Sequence, residues 1–169
     1  MKKQRIESEA EAALVHAKQL GADQAAVTVS SGKGFSVKAQ NRSIETVEHY
    51  EDQAFSITVF VKKSMGSATT NNLSKDSLLE TTEKALSLAS LTAADEFNGM
   101  ADSNLMATEP IDLDLHHPWK LDMGKAQTMA LECEQAALDS DPKVDNSEGA
   151  TIGTYESHSL YANSHGFVG

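Results

Sequence analysis

Residues 23–70, DQAAVTVSSGKGFSVKAQNRSIETVEHYEDQAFSITVFVKKSMGSATT, decide the fold. Within them Val27 and Val29, Phe35 and Val37, then Phe55, Ile57, Val59 and Val61 alternate with polar residues. A period of two sends successive side chains to opposite faces, so the stretch reads as four or five short strands. Turn signals stand at Ser31-Gly32-Lys33-Gly34, Asn41-Arg42, Glu51-Asp52 and Lys63-Ser64. Their spacing of about ten residues is the rhythm of a meander of hairpins. One apolar and one polar face per strand predicts an antiparallel sheet with one side packed and the other solvated. The closing MGSATT has side chains small enough to let another backbone approach.

On either side the period changes to 3.6. Ile6, Ala10, Ala13, Leu14, Ala17 and Leu20 form the apolar stripe of a helix, and Gly21 stands where it must stop. A second helix begins after Ser74, its predicted N-cap, with Asp76 near the positive helix end and Leu78, Thr82, Ala85 and Ala89 on one face. Residues 93–121 hold no sustained period and contain Pro110 and Pro118, which predicts an ordered connection. A third helix is expected over about 123–139, with Ala126, Met129, Ala130, Cys133 and Ala137 as its apolar positions and Asp141-Pro142 as its stop. Cys133 on that stripe reads as an inert buried thiol. From 143 onward the pattern returns to strands, with turns near Asn146–Gly149 and Asn163–Gly166.

These elements predict an α+β fold: an antiparallel meander sheet of four to five strands packed by helices, with further C-terminal strands. The expected division is 1–92 for the first helix, sheet and second helix, 93–121 for the connection, and 122–169 for the last helix and strands. The final YANSHGFVG, 161–169, reads as a strand, a tight turn and the first residues of a returning strand. Half a hairpin leaves unpaired backbone groups, so the chain is expected to be a fragment of a larger protein.

Composition narrows the function. The chain has 169 residues, 40% hydrophobic and 23% charged, a soluble globular balance that supports a real core. Its net charge of −11 comes from 25 acidic against 14 basic residues, and the basic ones form no stripe. Nucleic-acid binding rests on cations that displace counterions from phosphates, so no nucleic acid is expected, and an anionic membrane is disfavoured for the same reason. The start, MKKQRIESEAEAALVHAKQ, moves from positive charge straight into an acidic amphipathic pattern, unlike a secretory signal. No apolar run approaches the roughly 20 residues that span a bilayer. A single cysteine forms no internal disulfide, which fits a cytoplasmic location.

The histidines are His16, His49, His116, His117, His158 and His165, none of them in an H-E-x-x-H pair. The densest set of candidate ligands is IDLDLHHP, 111–118, with Asp112, Asp114, His116 and His117. Neighbouring side chains of an extended segment point apart, so His116 and His117 are poorly placed to share one ion, and an ordered surface connection is the simpler reading. His158 and His165 read as ordinary strand and turn residues. Gly32-Lys33-Gly34 lacks the spacing and following helix of a phosphate loop, and neither G-x-S-x-G nor G-x-G-x-x-G occurs. No catalytic, cofactor-binding or metal residue is therefore expected in these residues.

Four stretches in order, GADQAAVTVSSGKGFSVKAQNRSIETVE, AFSITVFVKKSMGSATTNNLS, EPIDLDLHHP and NSHG, resemble the N-terminal domain of the PmbA/TldD family, long labelled modulators of DNA gyrase. The segment from Asp112 to Pro118 and the Asn163–Gly166 turn favour its PmbA branch, also called TldE, over TldD. The resemblance implies a cytoplasmic zinc metalloprotease built from a TldD-like and a PmbA/TldE-type subunit. It also implies action on unfolded polypeptides, in maturing a peptide antibiotic and in removing an antitoxin. The family's zinc-binding H-E-x-x-x-H belongs to the TldD-like partner, and nothing here matches it, so no catalytic or metal residue carries over. The implied role is a non-catalytic scaffold that binds a partner, as a heterodimer or homodimer, and peptide. Two alternatives compete: a stand-alone acidic protein-binding module without protease activity, and an independent metal enzyme built on Asp112–His117.

Overall fold

The computed structural model describes residues 3–169. Helix α1 runs Lys3–Gln19, strand β1 Gln24–Gln40, β2 Ser43–Val61, β3 Ser64–Thr70, helix α2 Lys75–Leu91, α3 Met123–Leu138 and strand β4 Ala150–Asn163. A single 3₁₀ turn, Ser103–Leu105, interrupts the irregular connection between α2 and α3. The four strands form one antiparallel sheet in the order β3-β2-β1-β4, so β1 to β3 are a meander and β4 adds beside β1. The α+β expectation holds.

Two expected turns do not exist. Gly32-Lys33-Gly34 lies inside β1 and Glu51-Asp52 inside β2, which makes these strands 17 and 19 residues long. The glycines answer to neighbours across the sheet instead of to a turn. A Cβ on Gly34 would strike the Thr154 carbonyl oxygen of β4, and one on Gly32 would strike the Tyr155 ring. The Asn41-Arg42 turn is real, with φ of 53° and 61°, both left-handed as a two-residue hairpin of this twist requires. The next turn falls on Lys62-Lys63, φ 48° and 70°, one residue earlier than expected. Residues 143–149 form no strand, so the C-terminal region contributes β4 alone, followed by the anticipated hairpin. There Tyr161 N donates to Gly169 O at 2.7 Å and Asn163 N to Phe167 O at 3.0 Å.

Neither left-handed turn uses glycine, and each is held by a carboxylate from elsewhere in the chain. Glu134 of α3 accepts from Asn41 N and Arg42 N, both at 2.9 Å. Asp23 accepts from Lys62 N at 2.7 Å. These bonds satisfy turn donors and offset the steric cost of φ > 0 at residues with a Cβ.

Two compact units share the sheet's long strands. The first comprises residues up to Ser31, Asp52–Leu113 and His158–Gly169. Its core sets Ala10, Ala13 and Ala17 of α1 and Leu78, Ala85 and Ala89 of α2 against Val27, Val29, Phe55, Ile57 and Val59. Full burial of Phe55 or Ile57 is worth about 1.5–3 kcal/mol each. Alanines on the helices bring their axes close to the sheet, and Gly66 of β3 lies against the backbone of Ala85 and Ala89 with no room for a Cβ. Helix α1 ends at Gly21, φ 97°, where Ala22 N reaches back to Ala17 O at 3.0 Å in a Schellman closure. Ser74 caps α2 as expected, accepting from Ser77 N.

The second unit, Gly32–Glu51 and Asp114–Ser157, has a smaller core of Val37, Ala39, Leu121, Ala126 and Ala130. Asp122 caps α3 by accepting from Lys125 N at 2.9 Å. The buried stripe of that helix is Ala126, Ala130 and Glu134, spaced by four. Cys133 is exposed, contrary to expectation. The stripe closes on an acid whose burial the hairpin requires, and Cys133, one residue before it, is turned off that face.

Candidate functional site

A cavity of about 750 Å³ lies wholly within the second unit. Three strands line it, with residues 33–35 of β1, 49–51 of β2 and 153–157 of β4, and residues 115–119 of the connection complete the lining. Gly34 and Gly153 are glycines for a physical reason: a Cβ on either would meet the backbone of the adjoining strand. The chain has five Phe, three Tyr and one Trp, and Phe35, Tyr50, Tyr155 and Trp119 all line this one cavity. His49, His116 and His117 stand among them. Such a concentration of rings around a concave surface is the ordinary composition of a ligand pocket.

Several of these side chains are fixed. The Tyr50 hydroxyl donates to Glu48 Oε2 at 2.7 Å and lies 2.7 Å from Ser36 Oγ. The Phe35 and His49 rings are tilted at 48° with centroids 6.3 Å apart. His117 donates from Nε2 to the Asp114 carbonyl oxygen at 2.6 Å, and Asp114 itself has φ 48°. At the rim Lys33 Nζ is 3.7 Å from Glu156 Oε2, an exposed pair of small energetic worth.

Outside the cavity lining, Glu134 is the acid with a clear perturbation. The Ser147 hydroxyl at 2.6 Å lowers its carboxyl below the ordinary value of 4.5, and desolvation by burial opposes that. The N–H groups of Arg42 and Asn41 and the Arg42 charge lower it further. Its partners are backbone and hydroxyl groups of its own unit, so its role is architectural.

Of the residues weighed on sequence, His116 and His117 line the cavity, whereas His165 lies in the terminal turn, where Asn163 Oδ1 accepts from its N–H at 3.0 Å. His158 is an exposed residue of β4. Among the described residues no three His, Cys, Asp or Glu side chains gather as a metal ion requires. Lys33 joins the cavity wall as a strand residue and not as part of a phosphate loop. Sequence reasoning missed the pocket and Glu134, because rings from four separated segments show no spacing pattern until strands bring them together.

Family models for "PmbA/TldA metallopeptidase domain 1" and for the "PmbA/TldA metallopeptidase central domain" match residues 25–89 and 116–169. The chain belongs to the PmbA/TldD family. It is 39% identical over 144 residues to a metalloprotease PmbA homolog of Haemophilus influenzae, an alignment that covers 85% of this chain and 32% of that protein. The chain thus spans about a third of the length of this PmbA homolog. Among solved structures, a candidate modulator of DNA gyrase from Bacteroides thetaiotaomicron superposes with a TM-score of 0.81 at 20% identity, over 100% of this chain and 39% of that one. TldE from Thermococcus kodakarensis gives 0.69 at 16%, over 95% and 36%. At these identities the two structures show that the chain shares their fold.

Proposed function

We propose that this chain is the N-terminal part of a PmbA/TldE-type subunit of a zinc-dependent metalloprotease that processes unfolded peptides, with a scaffolding and peptide-binding role. The observation that carries the reading is the ordered match of two family models along the chain, joined to 39% identity with a metalloprotease PmbA homolog. The irregular connection between the two matched segments supports the division at residues 93–121.

Among the described residues no group of three His, Cys, Asp or Glu side chains is gathered to hold zinc. His117 Nε2 is committed to a carbonyl oxygen, and no H-E-x-x-x-H is present. In this proposal the metal belongs to a TldD-like partner, as the family resemblance implies, and the residues of this chain bind and position. An edge strand such as β3 accepts an extended polypeptide through backbone hydrogen bonds, which tolerate varied sequences. Among the described residues no helix is long and apolar enough to cross a membrane. A cytoplasmic site of action is part of the proposal.

Hydrolysis of an unfolded polypeptide is the test, using the complete protein alone and mixed with its TldD-like partner, with a zinc chelator as control. Chelator-sensitive cleavage in the mixture alone is the expected result. Cleavage by the complete protein alone places an active site beyond these 169 residues, and cleavage in neither case favours a binding module without protease activity.

A further inference from the structure

We propose that the cavity of the second unit binds an arginine side chain presented by an extended polypeptide. The inference deepens the peptide-handling reading by naming a side-chain class, and it rests on that reading only for the source of the ligand.

Three observations converge on a cationic, planar group. Trp119, Tyr155 and Tyr50 line a concave site and are 55%, 57% and 39% exposed, so each keeps surface accessible to an occupant. The cavity's carboxylates, Glu51 and Glu156, outnumber its one lysine, Lys33. The chain as a whole carries −11, so its field attracts cations to the site and repels nucleotides and other anions.

Aromatic faces attract cations through the ring quadrupole, and a guanidinium is favoured over an ammonium because it is planar, weakly hydrated and stacks on rings. Its fork also engages a carboxylate with two N–H donors, where a lysine such as Lys33 offers a point charge. Tyr50, tied through its hydroxyl to Glu48 and Ser36, presents its ring without further ordering cost. A volume of about 750 Å³ is ample for one long side chain and its flanking residues.

Trp119 is the only tryptophan, so its fluorescence reports on this site directly. The chain is titrated with acetyl-Gly-Arg-Gly-amide, with the citrulline analogue, which keeps the shape and removes the charge, and with acetyl-Gly-Glu-Gly-amide. The expected result is a saturable change with the arginine peptide, at least fivefold weaker binding of citrulline and no saturable change with glutamate. Glu51→Gln should weaken the arginine peptide at least threefold, and Glu80→Gln on α2 should leave it unchanged. Tyr155→Phe should keep the affinity and Tyr155→Leu lose at least fivefold, with circular dichroism verifying the fold. If Tyr155→Leu does not fold, the Glu51 variant and the citrulline comparison decide.

Equal affinity for citrulline, equal loss in the Glu51 and Glu80 variants, tighter binding of the glutamate peptide, or no saturable change each overturns the proposal. The readout is binding without hydrolysis. A failed cleavage experiment leaves this inference standing, and a failed titration leaves the protease reading standing.

Discussion

At the scale of single residues, Glu134 shows how one buried side chain organises a unit. Its two oxygens take the N–H groups of a left-handed Asn41-Arg42 turn and the Ser147 hydroxyl, and its carboxyl is held below the ordinary 4.5 in consequence. A depressed folded-state value means that the unfolded chain binds the proton more tightly. The stabilisation is therefore complete above 4.5 and lost as pH falls through the lower folded value. Acid titration of unfolding should show the wild-type midpoint dropping across that window, with Glu134→Gln less stable at neutral pH and flatter below it. Equal pH profiles for the two proteins would contradict this role. Cys133, exposed one residue earlier, should react stoichiometrically with a thiol reagent without denaturant, and protection until unfolding would mean that it is buried after all.

At the scale of elements, the contact between β3 and α2 depends on the absence of a side chain. Gly66 faces the Ala85 carbonyl and the Ala89 backbone, groups that cannot swing aside as a flexible side chain would. Gly66→Ala must push helix and strand apart, and the overpacking should cost about 1–3 kcal/mol in denaturant melts. An unchanged midpoint would show that α2 rides freely on β3. Ser74 at the N-terminus of α2 should contribute about 1 kcal/mol as a cap, measured by the same melts on Ser74→Ala. The helix starts, the small residues of 65–70 and the Asn41-Arg42 turn were all legible from local chemistry. The lengths of β1 and β2 were not. Glycine and charged pairs inside a strand look like turns until the neighbouring strand that demands them is in place.

At the scale of the whole molecule, the two units differ in how much apolar surface they bury. Among the described residues the first gathers fifteen buried residues in its core and the second five. Local opening free energy follows buried apolar contact, so amide exchange should be slower in Phe55–Val59 and α2 than in α3 and residues 35–39. The reverse order would mean that the Glu134 network outweighs apolar burial. Within the PmbA/TldD family this architecture carries, in its second unit, a cavity lined by rings and carboxylates.

The sequence by itself determined the α+β class, the order of the helices, the acidic surface and the family, because periodicity, caps and motif order are local or linear properties. Only the tertiary structure decided that β1 and β2 run unbroken, that α3 turns Glu134 inward and Cys133 outward, and that rings from residues 35, 50, 119 and 155 meet in one pocket. Each of these depends on which backbone lies across the sheet, and that pairing joins residues too far apart in the chain for any local pattern to record it.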